Sequence, residues 1–253
     1  MRLINVERID DIAVVQLNRP PVNAIDLELL DDATSALSDI DRQQWPRAVV
    51  LTGSGSTFSA GLDLRKVPSY SPPELRRVIN GINRAVLQLY ASRLPVIAAI
   101  NGHAVAGGLC LALACDYRVC ADSDCKIGLT ETRAGIPYPI GPISVVRAEL
   151  APHVARQLVL VARNITPQRA LEWGVVDELQ ARDRVQPRAL EVARDLAWAP
   201  ADGYARIKQQ LRGETSERIR RAVDDEDDPL LEMWFGSSAQ GAAARVLAGK
   251  AGA

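Results

Sequence analysis

Apolar and polar positions follow two different periods along the chain, and each period predicts a different kind of element. Segment 3–18, LINVERIDDIAVVQLN, is rich in β-branched residues and is interrupted once, at Asp10-Asp11. This pattern predicts two strands joined by a short turn. The runs RAVVLTG at 47–53 and LPVIAAI at 94–100 are almost wholly apolar, which predicts two buried strands that lead into loops.

Helical spacing appears between these strands and dominates the second half of the chain. After Asp26, the segment LELLDDATSALSDI repeats apolar residues at helical intervals, which predicts a helix with Asp26 as its N-cap. Ser71 and the two prolines after it predict a second helix that runs to about Tyr90. From Gly141 onward the pattern is mainly helical, with one strand-like interruption at 174–179. Strands that alternate with helices predict an α/β fold.

Two segments near the C-terminus are interpreted by their composition. The acidic run DDEDDP at 224–229 predicts a solvated helix end. The apolar residues beyond it predict helices that pack on the body or on a neighbouring subunit: Met233, Trp234, Phe235, Val246 and Leu247.

Composition narrows the class of protein. Apolar residues make up 47% of the chain and charged residues 24%, as is normal for a soluble globular protein. A net charge of −1 and a pI near 6.2 argue against nucleic acid as a partner. No apolar run approaches the roughly 20 residues that cross a bilayer. The N-terminus lacks the apolar core of a signal peptide, so we expect no membrane partner and a cytoplasmic location.

Four evenly spaced cysteines invite a metal-site interpretation, which geometry opposes. They stand at Cys110, Cys115, Cys120 and Cys125. Five residues of helix rotate successive side chains by roughly 140° away from each other, and an odd spacing on a strand places them on opposite faces. All four are therefore predicted to be buried free thiols, and no metal site is predicted.

Glycine-bearing turns follow the two buried strands, at 53–62 and at 101–108. Neither turn fits a known phosphate or nucleophile motif. Phe58 stands where a G-x-G-x-x-G motif needs its third glycine, no G-x-x-x-x-G-K-[S/T] occurs, and G-x-S-x-G is absent. With only His103 and His153 in the chain, a Ser-His triad is not expected.

Both turns are instead suited to exposing backbone N–H groups. Gly107-Gly108 at a helix start leaves N–H donors without helical acceptors, and the helix dipole adds positive potential there. The turn at Ala60-Gly61-Leu62 can direct the Leu62 N–H to the same point. Two such donors form an oxyanion hole for a carbonyl that gains negative charge. For either turn alone, close packing of the chain is a sufficient explanation of the glycines. Because both turns follow buried strands, the two together favour a binding or catalytic site.

Six segments in order resemble the crotonase, or enoyl-CoA hydratase/isomerase, superfamily over nearly the whole chain. They are LNRPPVNAI at 17–25, FSAGLDLRK at 58–66, PVIAAINGHAVAGG at 95–108, ALACDYRVCAD at 112–122, GLTETRAGI at 128–136 and TPQRALEWGVVDEL at 166–179. The resemblance implies a spiral of β-β-α turns at 1–190 and a helical C-terminal region at 191–253 that assembles homotrimers or dimers of trimers. It also implies acyl-CoA thioester substrates, without a metal or redox cofactor.

The resemblance also assigns roles to individual residues. The two oxyanion donors fall on the N–H groups of Leu62 and Gly107. The turns predicted to line the bound CoA and acyl chain contribute Ala60, Gly61, Asp63, Leu64, Arg65 and Gly108. Arg65 and Lys66 are candidates for phosphate contacts.

The chain departs from family hydratases at one catalytic position. Those enzymes hold a water molecule with two glutamates; the second falls on Glu131, but Cys110 stands in the place of the first. A buried neutral thiol positions water poorly. Isomerisation of a 3-enoyl thioester needs one carboxylate, so Glu131 favours isomerase chemistry over efficient hydration. Tyr138 is predicted to reach the acyl pocket.

Two alternatives remain open from the sequence. One is an acyl-CoA-binding subunit that does not turn the ligand over. The other is a different enolate reaction, such as hydrolysis or decarboxylation, because one fold hosts many chemistries.

Overall fold

A sheet of six strands forms the framework of the protein in a computed structural model, which describes residues 3–225 and 228. In spatial order the strands are β1 (Ile4–Ile9), β2 (Ile12–Leu17), β3 (Ala48–Gly53), β5 (Val96–Ile100), β7 (Tyr117–Ala121) and β9 (Glu178–Gln180). Only β1 and β2 pair antiparallel, through the predicted turn at Asp10, which adopts a positive φ of 55°. The predicted strands are confirmed.

A second sheet of three short parallel strands was not predicted. It contains β4 (Thr57–Ser59), β6 (His103–Val105) and β8 (Ile127–Gly128). Strands of two or three residues are too short to show a period, so their sequence carries no strand signal. Each follows a strand of the large sheet and precedes a helix, and this repeat is the expected β-β-α turn.

Nine α-helices occur in the described part of the chain. They are α1 (Leu27–Arg42), α2 (Pro72–Tyr90), α3 (Gly107–Leu113), α4 (Glu131–Ala134), α5 (Ile140–Glu149), α6 (Pro152–Arg156), α7 (Pro167–Glu172), α8 (Val185–Ala197) and α9 (Ala201–Asp224). Asp26 caps α1 as predicted, since its carboxylate accepts a hydrogen bond from the Leu29 N–H at 2.9 Å. Ser71 and Glu74 form a capping box at the start of α2.

Both faces of the central strands of the large sheet are buried, which explains the continuous apolar runs of β3 and β5. In β3, Val49 and Leu51 belong to the main core on one face, while Ala48 and Val50 point to the other. Helix α8 covers that second face with alanine and valine side chains. The division predicted between residues 190 and 191 falls inside α8, and as a domain boundary it stays a prediction.

Helix α9 is anchored to the body by buried ion pairs. Lys208 and Arg212 are each 7% exposed, and both contact Asp116 at 2.7 Å. Arg212 also pairs with Glu149 at 3.2 Å. Buried charges of this kind persist only when paired, so the network fixes α9 against the segment between α3 and β7.

The acidic run at the end of α9 requires a correction. Asp225 is exposed, as expected of a solvated helix end, but Asp228 is 1% exposed. Its carboxylate accepts hydrogen bonds from the Asn83 side chain at 2.8 Å and from the Ile140 N–H at 2.7 Å. The prediction is therefore wrong for Asp228, which holds the start of α5. The apolar residues predicted to pack further on, Met233 to Leu247, lie outside the described residues.

The cysteines are buried and unpaired, as predicted. The thiols of Cys120 and Cys125 both face the Ala121 carbonyl, at 3.6 and 3.8 Å, while Cys110 and Cys115 lie in and just after α3. Across residues 3–225 and 228 we find no cluster of His, Cys, Asp or Glu suited to a metal. No helix of that same part is both long and apolar enough to span a membrane.

Candidate active site

The two predicted turns meet, and an isolated bridge explains the orientation of one donor. The Ile25 N–H donates to the Gly61 carbonyl and the Asp63 N–H donates to the Ile25 carbonyl, each at 2.8 Å. Successive peptide groups of an extended chain point in opposite directions, so the Leu62 N–H between them faces away from Ile25. Within the described residues it donates to no acceptor.

The second donor is the first N–H of α3. Gly107 begins the helix, so its N–H has no helical acceptor, and no other described group accepts from it. Ala106 precedes it with φ 54° and ψ −130°, a conformation that costs an L-residue about 1–3 kcal/mol. The ψ angle of Ala106 sets the direction of the Gly107 N–H. The strained conformation of Ala106 therefore orients the free N–H of Gly107.

Gly61 allows the two turns to approach each other closely. Its φ is +78°, and a Cβ there would lie 2.8 Å from both the Gly107 nitrogen and the Ala106 Cβ. A Cβ at Gly107 would lie 3.9 Å from the Leu62 nitrogen. Glycine is therefore required at residue 61 by conformation and by space. The close approach brings the backbone nitrogens of Leu62 and Gly107 into the same region of the fold.

A cavity of about 350 Å³ opens onto these donors. Leu62, Gly107, Cys110, Glu131 and Tyr138 all line it. Most of the remaining lining is apolar, with Leu30, Ile82 and Val86 contributed by α1 and α2. Among the described residues Glu131 is the only carboxylate in the lining. A thioester carbonyl at the two donors would place its acyl chain among these apolar side chains.

Glu131 has an environment suited to moving a proton. It begins α4, is half-buried, and its Oε2 accepts a hydrogen bond from the Tyr138 hydroxyl at 2.7 Å. Burial raises the pKa of Glu131 to about 7, although hydrogen bonds from Tyr138 and from the backbone at Glu131 and Thr130 act in the opposite direction. A carboxyl group with this pKa both takes up and returns protons near neutral pH.

Cys110 faces the cavity, which the sequence alone left open. It is 1% exposed and lies in α3, about one helical turn beyond the Gly107 N–H. Burial raises the pKa of its thiol well above the ordinary value, and the charge of Glu131 raises it further. The side chain is therefore a neutral thiol at neutral pH.

The other predicted substrate-binding residues divide into two groups. Ala60 and Leu64 line the cavity. Gly108 does not: a Cβ there would lie 2.2 Å from the Ser59 carbonyl oxygen, so this glycine lets α3 pack against β4. Arg65 is exposed at the same turn, and its contact with CoA stays a prediction.

Two charged residues of this turn are held by the protein itself. Asp63 is absent from the cavity lining; its carboxylate binds Arg19 at 2.7 Å and accepts from the Arg65 N–H at 3.1 Å. Lys66 contacts Asp26 at 2.7 Å, and this hydrogen bond raises the pKa of the lysine. Both residues therefore form ion pairs within the protein, and their contacts with the substrate stay a prediction.

Two features of the site had no usable sequence signal. The Tyr138–Glu131 hydrogen bond joins residues on either side of a turn at Gly135, whose φ is 64°. The bridge from Ile25 to Leu62 joins segments that are distant along the chain. Neither contact follows a helical or strand period, so only the folded chain reveals them.

Comparison with known proteins agrees with this architecture. The sequence profile of the enoyl-CoA hydratase/isomerase family matches residues 7–241. Enoyl-CoA delta isomerase 1, mitochondrial, of Mus musculus is 32% identical over 219 residues, covering 86% of this chain and 76% of the relative. A 4-chlorobenzoyl coenzyme A dehalogenase-2 from an Arthrobacter species is 32% identical over 234 residues, covering 88% of this chain and 82% of the relative.

A solved structure shows the same fold. The crystal structure of human mitochondrial delta3-delta2-enoyl-CoA isomerase matches with a TM-score of 0.90 at 30% identity, over 97% of each chain. The resemblance found in the sequence and the predicted α/β crotonase fold are both confirmed. This chain belongs to the enoyl-CoA hydratase/isomerase family.

Proposed function

We propose that the protein isomerises 3-enoyl-CoA thioesters to the conjugated 2-enoyl form, with Glu131 as the acid and base. The observation that carries the proposal is the single carboxylate in the described cavity lining, beside two free backbone donors. A hydratase of the two-glutamate type needs a second carboxylate, and the neutral thiol of Cys110 does not supply one.

The proposed reaction moves one proton and changes nothing else in the composition of the substrate. With the thioester oxygen at the N–H groups of Leu62 and Gly107, Glu131 removes a proton from C2. The electron pair delocalises to the oxygen as a dienolate, which the two donors stabilise. Glu131 then returns the proton to C4, and the double bond lies between C2 and C3. The carboxylate is regenerated, so the cycle requires no metal or redox cofactor.

Assembly and location are further proposals. We propose homotrimers or dimers of trimers, supported by apolar side chains exposed on and just before α9: Trp198 at 87%, Ile207 at 66% and Leu211 at 82%. Light scattering coupled to size-exclusion chromatography is expected to give a mass of three or six chains of 27.4 kDa. A monomer would contradict the proposal. A cytoplasmic location is proposed as an expectation that cell fractionation tests.

Isomerase activity is expected to rise with pH through about 7, where the pKa of Glu131 lies. The base form of a carboxyl group is the ionised form, and its fraction grows as pH passes the pKa. The test supplies a 3-enoyl-CoA and follows the absorbance of the conjugated thioester across pH 5–9. A matched 2-enoyl-CoA is tested separately for water addition. Rapid hydration without isomerisation would overturn the proposal.

A second candidate is a different reaction of a CoA thioester. The 32% identity to the Arthrobacter dehalogenase favours it, because a chain of similar relatedness carries a different activity. Tight acyl-CoA binding with silence in both assays would support this candidate or a non-catalytic binding subunit.

A further inference from the structure

Tyr138 has a contact that neither the family resemblance nor the proposed proton transfer requires. It is 7% exposed, lines the cavity, and donates its hydroxyl proton to Glu131 Oε2 across 2.7 Å. Pro137 and Pro139 flank it and restrict the backbone on both sides. The hydroxyl is therefore held against the carboxylate by a stiff segment.

The Tyr138 hydroxyl stays protonated and acts as a hydrogen-bond donor. Burial and the charge of Glu131 raise the pKa of Tyr138, so the phenol keeps its proton. Its single proton is directed to Oε2. Cys110 also lines the cavity; the charge of Glu131 helps to raise the pKa of its thiol, which is therefore neutral and a weak hydrogen-bonding group.

Water addition and isomerisation make different demands on Glu131. In hydration a water molecule must lie against the carboxylate, which takes its proton as the C3–O bond forms; C2 then gains a proton. In isomerisation one oxygen of the carboxylate must reach C2 and C4, and no water is needed. A group that already occupies one carboxylate oxygen obstructs the first reaction and permits the second.

We infer that Tyr138 determines reaction specificity: its hydroxyl occupies the oxygen of Glu131 that would otherwise hold a nucleophilic water, and so suppresses hydration. The inference rests on the proposed isomerase function. Through the same hydrogen bond, Tyr138 also positions the Glu131 carboxylate.

The test is a comparison of product ratios in Tyr138→Phe and in the wild-type protein. Removing only the hydroxyl frees Oε2 and leaves space for a water molecule. Each protein receives the same 3-enoyl-CoA, and chromatography measures both the 2-enoyl-CoA and the 3-hydroxyacyl-CoA formed. Tyr117→Phe is the matched control, because the Tyr117 hydroxyl also donates to a glutamate, Glu178 at 3.3 Å, outside the cavity lining.

We expect the ratio of hydration to isomerisation to rise at least tenfold in Tyr138→Phe and to stay unchanged in Tyr117→Phe. In the wild type, the hydrogen bond from Tyr138 lowers the pKa of Glu131, so its loss should raise that pKa. The acid limb of the isomerase pH profile should therefore also move to higher pH. In the double variant Tyr138→Phe/Cys110→Ser, a hydroxyl replaces the thiol beside the freed space, and the ratio should rise further.

The outcomes separate this inference from the proposed function. If the wild type isomerises and the ratio is unchanged in Tyr138→Phe, the inference fails and the function stands. A parallel fall in both activities would give the tyrosine a merely structural role and also overturn the inference. If the wild type hydrates as fast as it isomerises, the inference fails and the isomerase function stands. If the wild type does neither, both proposals fail.

Discussion

Glu131→Gln is expected to lower kcat for isomerisation by about 10⁴-fold with little change in KM, at the upper end of what general acid–base catalysis contributes. The large effect is expected because no other carboxylate of the described residues lines the cavity. Glutamine keeps the size and an acceptor for the Tyr138 hydroxyl, but it cannot take up the C2 proton. Steady-state rates with a 3-enoyl-CoA measure the loss.

Glu28→Gln is the matched control for this variant. Glu28 also lies in the first turn of a helix, but its side chain is exposed and outside the cavity. It should retain wild-type activity. More than a tenth of the activity remaining in Glu131→Gln would show that another group is the base.

The same substitution is expected to stabilise the fold at alkaline pH. Folding raises the pKa of Glu131 from 4.5 to about 7, so the folded state binds the proton more tightly than the unfolded state. Stability from this group is present below pH 4.5 and is lost as pH rises through about 7. Glutamine avoids this loss, on the order of 3 kcal/mol at pH 8. Denaturant unfolding at pH 5 and pH 8 tests the sign.

Gly61→Ala is expected to lower kcat by about 10²–10³-fold, the usual loss when one oxyanion donor is displaced. The new Cβ would lie 2.8 Å from the Gly107 nitrogen and 2.9 Å from the Val105 carbonyl oxygen. Because all three close neighbours belong to 105–107, the two turns must separate, and the donors no longer converge.

Gly55→Ala separates this effect from backbone strain. Gly55 has a φ of +70°, similar to Gly61, but a Cβ there meets nothing within 4 Å. Both variants should lose about 1 kcal/mol of folding free energy from the positive φ. Only Gly61→Ala should lose activity. If both variants lost activity equally, the loss in Gly61→Ala would be due to lower stability. The proposed oxyanion geometry would then lose its support.

Prediction from sequence succeeded where the signal was local. The runs that become β3 and β5 are apolar because both faces of their sheet are buried, and Asp26 and Ser71 cap the helices that they precede. The glycine turns at 60–62 and 106–108 indicated two backbone donors before any contact between them was known. The role of Glu131 came from the family resemblance.

Prediction was incomplete where distant segments meet. The acidic composition of 224–229 indicated solvent, but Asp228 is buried because it contacts Asn83 and the start of α5. Asp63 and Lys66 form ion pairs with Arg19 and Asp26, which the local sequence did not indicate. Partners of this kind lie tens of residues away, so the local pattern does not contain them.

The sequence by itself determined the alternation of strands and helices, the two glycine turns, and the presence of Glu131 together with Cys110 where family hydratases carry their first glutamate. These features depend on periodicity, caps and residue identity, which are properties of short segments. Only the tertiary structure decided that Cys110 faces the cavity, that Gly61 packs against the Gly107 nitrogen, and that Tyr138 binds Glu131. Those contacts depend on how separate segments pack, and packing is a property of the whole folded chain.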